Sequence, residues 1–137
     1  QIKRPVMTVS DDFKAPKSVL VAFDGGKMTR RGIELLAAYP NMRDLPIHVI
    51  MSGKRSNEST RQLKWAERVL TDASFDVNAT FIAGDPEQVV TRAIAEREAD
   101  LLIMGAYSHS PWRSLLLGSR TNDLLRASQV PTITLHL

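Results

Sequence analysis

Apolar and polar positions alternate along this chain between two textures. Short continuous apolar runs are separated by longer stretches whose apolar residues fall three and four apart. Ser18-Val19-Leu20-Val21-Ala22-Phe23, closed by Asp24-Gly25-Gly26, has the form of a strand buried on both faces. A helix is predicted from Lys27 to Tyr39, with Met28, Gly32, Leu35, Leu36 and Tyr39 on its inner face and Pro40-Asn41 ending it. Ile47 to Met51 is the second strand. Ser56 to Thr60 offers several N-caps for a long helix to Ala73, with Leu63, Ala66, Val69 and Leu70 inward and Trp65 at the edge of that stripe.

Phe75 to Ile82 gives a third strand with Val77, Ala79 and Phe81 alternating. Gly84-Asp85-Pro86-Glu87 then opens a helix to Glu98, with an acidic N-cap and proline in the first turn. Leu101 to Gly105 is the fourth strand, a helix is predicted from Ser119 to Ala127, and Val130 to His136 closes the chain as a strand whose Pro131 favours an edge or an end position. Strands joined by helical crossovers specify an α/β fold, a parallel sheet with helices on both faces and right-handed connections.

Residues 1–16 read differently. Arg4 to Val9 has the character of a short strand, and Ser10 to Pro16 that of a linker, so this segment is either an N-terminal arm or the last strand of a preceding unit. Residues 17–137 form the domain proper. A length of 137 residues suffices for one buried core. The 43% apolar and 24% charged shares are those of a globular domain, and no apolar run is long enough to span a membrane. Lack of a secretory signal and of cysteine makes the cytoplasm the expected compartment. The net charge of +3 is dispersed in basic pairs rather than gathered in a stripe, so nucleic acid is not an expected partner.

Of seven glycines, Gly25, Gly26, Gly53, Gly84 and Gly105 each follow a predicted strand, and Gly118 opens the last helix. In an open parallel sheet the carboxyl ends of the strands line the ligand crevice. Turn formation explains Gly53 and Gly84 as well as ligand approach does. Gly105 and Gly118 bracket one long loop, and a strand passing through glycines into a helix N-terminus suits a phosphate.

These residues resemble the universal stress protein family. Its nucleotide motif runs G-x-x-G, nine residues, then G-[S/T]. Here Gly105-Ala106-Tyr107-Ser108 is followed by nine residues, His109 to Leu117, and by Gly118-Ser119. Val21-Ala22-Phe23-Asp24-Gly25, Ile47-His48-Val49, Gly84-Asp85-Pro86, Ala99 to Gly105 and Val130-Pro131-Thr132-Ile133 match in order. The resemblance implies a Rossmann-like, doubly wound, five-stranded parallel sheet of order 3-2-1-4-5, of the adenine-nucleotide α-hydrolase-like kind. It implies ATP, or AMP or ADP, with Mg²⁺ as a further candidate, bound between strands one and four. Asp24 and Val49 would frame adenine and ribose beside Phe23, Met104 and Gly105. Gly118, Ser119, Arg120 and Thr121 would hold the phosphates, with Tyr107 and Ser108 in the same loop. It also implies a homodimer or a tandem pair joined through Val130–Leu137.

Ser108 stands where the motif has its second glycine. If a left-handed conformation is needed there, serine costs about 1–2 kcal/mol, roughly ten- to thirtyfold in affinity. A nucleotide-free pairing module and a slow ATPase are therefore the alternative readings. G-x-S-x-G and G-x-x-x-x-G-K-[S/T] do not occur, which leaves hydrolase-elbow and P-loop chemistry without their parts. His48, His109 and His136 lack metal-ligand spacing, and His48 reads as a strand residue with a satisfied ring. No residue is assigned a catalytic or metal-binding role.

Overall fold

Parity along two strands organises the molecule. In a computed structural model that describes residues 17–105, Val6–Thr8, Val130 and Thr132–Leu135, strand β2 (Val19–Ala22) is buried at every position. Its side chains divide between two layers, because successive residues of a strand face opposite ways. Val19 and Val21 enter one apolar cluster and Leu20 and Ala22 the other. Strand β5 (Leu101–Gly105) divides likewise, with Leu101 and Ile103 on the first face and Leu102 and Met104 on the second. A continuous apolar run is thus two half-patterns superimposed.

The first layer is filled by α1 (Lys27–Ala37) and α2 (Asn57–Asp72) through Met28, Ile33, Leu36, Ala66 and Leu70. The second is filled by α3 (Pro86–Glu96) through Val89, Val90, Ala93 and Ile94. Strands β3 (Ile47–Gly53), β4 (Val77–Ala83) and β6 (Thr132–Leu135) complete the parallel set, which runs β4-β3-β2-β5-β6. Counted from the first core strand this is the order 3-2-1-4-5 implied by the resemblance. A sixth strand, β1 (Val6–Thr8), lies antiparallel on the outer side of β6, with Val6 opposite Thr134 and Thr8 opposite Thr132.

Helix α2 begins with a reciprocal box. Ser56 Oγ accepts from the Ser59 N–H at 3.0 Å, and Ser59 Oγ accepts from the Ser56 N–H at 2.8 Å. Asp85 caps α3 by accepting from the Gln88 N–H at 3.1 Å, with Pro86 in the first turn as predicted.

Helix α1 is shorter than its predicted span, and its inner face is rotated. Pro40 forces Tyr39 into extended backbone (φ −104°, ψ 92°), ending the helix and leaving Tyr39 57% exposed. Thr29 and Ile33, at 1% and 0% exposure, take the inward places expected of Leu35 and Tyr39. The third strand begins at Val77 rather than Phe75. Phe75 instead closes α2, its N–H donating to Leu70 O at 3.0 Å while the Ser74 N–H donates to Thr71 O at 2.9 Å. That is a Schellman closure with Ser74 left-handed at φ 71°. His48 is on β3 as expected, beside Leu20 and Asn78, but its ring is not satisfied as predicted: among the described residues its buried Nδ1 has no hydrogen-bond partner. The predicted helix Ser119–Ala127 lies outside the described residues.

Candidate functional site

The chain leaves β2 toward β3 on one side of the sheet, and β5 is paired with β6 on the other. The β2/β5 boundary is therefore a topological switch point, where an open parallel sheet leaves a crevice at its carboxyl edge. The last core contact of β2 is Phe23. Its N–H donates to Ile50 O at 2.9 Å, and its ring stacks on Trp65 of α2 with centroids 6.4 Å apart at 21°. The Arg30 guanidinium covers the same indole at 5.3 Å.

Beyond Phe23 the chain turns out of the sheet through Asp24, which is exposed. Asp24 Oδ1 accepts from the Gly26 N–H at 2.8 Å and from the Thr29 hydroxyl at 2.6 Å. Gly26, the N-cap of α1, has no side chain to satisfy that helix end, and Asp24 supplies the carboxylate two residues upstream. Gly25 between them is left-handed at φ +78° and buried under α2. A Cβ placed there would fall 2.2 Å from Gln62 Oε1. The loop is thus held from below by its own carboxylate and covered from the side by an amide.

Met104 and Gly105 end β5 beside this turn, both buried. Of the predicted set, Phe23, Asp24, Met104 and Gly105 stand at the carboxyl ends of β2 and β5, whereas Val49 lies within β3 beside Val21. These described members do not share one face. Phe23 and Val49, at 1% and 0% exposure, belong to the α1/α2 layer. Met104, at 1%, belongs to the α3 layer. Asp24 is the exposed polar residue among the described members. Gly53 and Gly84 engage each other, with N–H to O distances of 3.1 and 3.4 Å, so the turn explanation accounts for both. Tyr107, Ser108, Gly118, Ser119, Arg120 and Thr121 lie outside the described residues, and with them the G-x-x-G stretch past Gly105. Among the described residues no group of three His, Cys, Asp or Glu side chains is placed to hold a metal.

Thr29 and Gln62 were not read from the sequence as part of this corner. The usable signal for Thr29 was a hydroxyl at the third position of a helix whose N-cap is glycine and whose approach carries an aspartate. Gln62 carried no signal, because it reaches Gly25 from a different helix. Among the described residues, two surface hollows lie away from this corner. One of about 330 Å³ runs between the end of β4 and α3, past Gly84, Gln88 and Arg92. The other, about 260 Å³, lies between α2 and β4, past Arg55, Lys64 and Phe81. Neither includes a residue of the predicted set.

The sequence profile of the universal stress protein family matches residues 16–136. The universal stress protein Slr1230 of Synechocystis is 32% identical over 135 residues, covering 97% of this chain and 47% of that protein. The chain spans about half the length of the curated relatives it matches. A universal stress protein solved in complex with cAMP superposes with a TM-score of 0.66 at 21% identity, covering 90% of this chain and 98% of that one. The Archaeoglobus fulgidus universal stress protein in complex with dAMP gives 0.66 at 17% identity, covering 87% and 97%.

Proposed function

The chain belongs to the universal stress protein family, and from that membership we propose that it is a regulatory or protective module that binds ATP or a related adenine nucleotide at the β2/β5 crevice. The observation that carries the reading is the corner itself. At the switch point the backbone turns through two glycines, and one carboxylate is fixed at the crevice mouth by the loop that bears it. Relatives of the same fold are complexed with cAMP and dAMP, so adenine-nucleotide binding occurs within the family.

In this reading Asp24 meets the ribose, and backbone at Gly105 lies along the base and sugar. Gly118, Ser119, Arg120 and Thr121 take the phosphates through N–H and hydroxyl donors. Mg²⁺ accompanies the triphosphate without a dedicated protein cage. Ser108 favours the second reading, a pairing module whose nucleotide site has lapsed.

Thermal melting of the full chain separates the two. At ATP a hundredfold above its dissociation constant, binding adds about 2.7 kcal/mol and raises the melting temperature. Gly118→Val, which puts a branched side chain into the phosphate cradle, abolishes that rise. A melting temperature unmoved at millimolar ATP, AMP and Mg²⁺ selects the lapsed site.

Pairing with a second domain of the same kind is proposed at the β6 edge of the sheet, Val130–Leu137. In this structure Val6–Thr8 sits there antiparallel to Thr132–Leu135, in the place a strand of a partner domain would take.

A further inference from the structure

Thr29 is a polar side chain deep in an apolar layer, 1% exposed, on the face of α1 that otherwise carries Met28, Ile33 and Leu36. Its hydroxyl has one proton and two acceptors in reach. Asp24 Oδ1 lies at 2.6 Å and Gly26 O at 3.4 Å, so the proton belongs to the carboxylate. The Thr29 hydroxyl oxygen in turn accepts from the Asp24 N–H at 3.4 Å. The Thr29 hydroxyl and the Gly26 N–H together give Asp24 Oδ1 two donors. Among the described residues nothing donates to Oδ2, although Asp24 as a whole is exposed.

The carboxylate is therefore split by its surroundings. One oxygen is a structural acceptor pinned to the start of α1, and the other is presented outward. A carboxylate oxygen repels phosphate and accepts from hydroxyl donors, and a vicinal diol is the part of a nucleotide that offers two of them. Resting on the nucleotide reading above, we infer that Thr29 is a positioning residue for ligand selection. By holding Oδ1 it aims Oδ2 at a ribose diol, and so makes the site discriminate ribonucleotides from sugars without hydroxyls. Without the Thr29 donor, the Gly26 N–H is the one hydrogen bond among the described residues left to orient the Asp24 side chain. Rotation about its terminal bond then exchanges the two oxygens and blurs the direction of the acceptor.

The test is isothermal titration of the full chain with ATP and with 2′,3′-dideoxy-ATP. The parent is expected to prefer ATP by about tenfold or more, the worth of one hydrogen bond to a charged acceptor. Thr29→Val, isosteric and without the donor, brings the ratio to within about twofold, while Thr29→Ser keeps it. Should the valine variant not fold, Thr29→Ala gives the same comparison, since alanine suits a helical position. Equal weakening of both ligands in the variant, or an unchanged ratio, makes Thr29 a structural residue only and overturns the inference with nucleotide binding intact. A parent that binds ATP and the dideoxy analogue equally also overturns it. A parent that binds neither overturns the nucleotide reading itself, and this inference with it.

Discussion

Asp100 fastens the start of β5 to the start of β2. Its Oδ1 accepts from the Lys17 N–H at 2.8 Å and the Ser18 N–H at 2.9 Å, and its Oδ2 lies 3.0 Å from the same Lys17 nitrogen. In return the Asp100 N–H donates to Ser18 O at 3.1 Å. The register of the central pair, Val19 beside Leu101, follows directly from this clamp. Asp100→Ala removes every one of the side-chain bonds and strands two backbone donors near the sheet. The expected loss is about 1.5–3 kcal/mol, read as a lower urea midpoint with unchanged slope. A loss below about 0.5 kcal/mol would show that water replaces the carboxylate at no cost.

Two helices end on residues that favour another conformation. Ser74 (φ 71°) closes α2, and Glu98 (φ 51°) closes α3, where the Ala99 N–H donates to Ile94 O at 3.0 Å and the Glu98 N–H to Ala95 O at 3.3 Å. Both are positions that helices usually give to glycine. Left-handed backbone costs an ordinary residue about 1–2 kcal/mol, part of which glycine returns through its greater freedom when unfolded. Ser74→Gly and Glu98→Gly are each expected to stabilise by about 0.5–1 kcal/mol and to add in the double variant, since they close different helices. Differential scanning calorimetry of the three variants checks both sign and additivity.

Those two closures also mark where the sequence stops being legible. The apolar runs of β2 and β5 and the capping residues Ser56 and Asp85 were readable, because each is a local pattern with a local cause. The strand order needed the family resemblance, and the structure agrees with it. Phe75 looked like the first residue of a strand because glycine, the usual marker of a helix end, is missing ahead of it. The inner face predicted for α1 differs from the observed one because Thr29 is polar and an apolar stripe does not include it. Its inward position is explained only by Asp24, five residues upstream. Val6–Thr8 could be recognised as a strand, but its antiparallel partner is more than a hundred residues away, beyond the reach of any local signal. For the site, Asp24 was legible as the polar end of a strand. The division of Phe23, Val49 and Met104 between two faces was not considered, although the parity of the strands fixes it.

His48 makes stability depend on pH. Burial lowers its pKa below the ordinary histidine value, Arg97 lowers it further, and Asp76 opposes both. The folded chain thus resists a proton that the unfolded chain accepts. The neutral ring's contribution is complete above the unfolded pKa of about 6.5 and is lost as pH falls from there through the lowered folded value. Urea denaturation at about pH 7.5 and about pH 5 should show a decrease for the parent and a smaller one for His48→Leu. The leucine variant also removes the unpartnered Nδ1. An identical decrease in both proteins would assign the pH dependence to other groups.

Gly25 is set by backbone conformation more than by space. Alanine there meets the Gln62 amide, which is the far end of a flexible side chain and can move, whereas φ +78° cannot be relieved without rebuilding the turn. Gly25→Ala is expected to cost about 1–2 kcal/mol. Gln62→Ala in the same background should recover only the steric share, a coupling of about 0.5 kcal/mol. Complete recovery in the double variant would show that crowding, not conformation, selects glycine. The measurement is a double-mutant cycle in urea.

The outer side of β6 carries β1 through three residue pairs, Val6 with Thr134, Met7 with Ile133 and Thr8 with Thr132. Antiparallel closure of a parallel sheet at that point covers a row of backbone N–H and C=O groups that would otherwise template another strand. A variant lacking residues 1–9 bares that edge from Thr132 to Leu135. If this is the pairing surface proposed above, the variant should associate more strongly than the parent, its mass by light scattering rising with concentration. A synthetic peptide spanning residues 4–9 should compete by re-occupying the edge as an added strand. Two measurements then bear on the same surface, one removing its cover and one restoring it. If the truncated chain keeps the parent's mass at every concentration, the β6 edge is not where two domains meet.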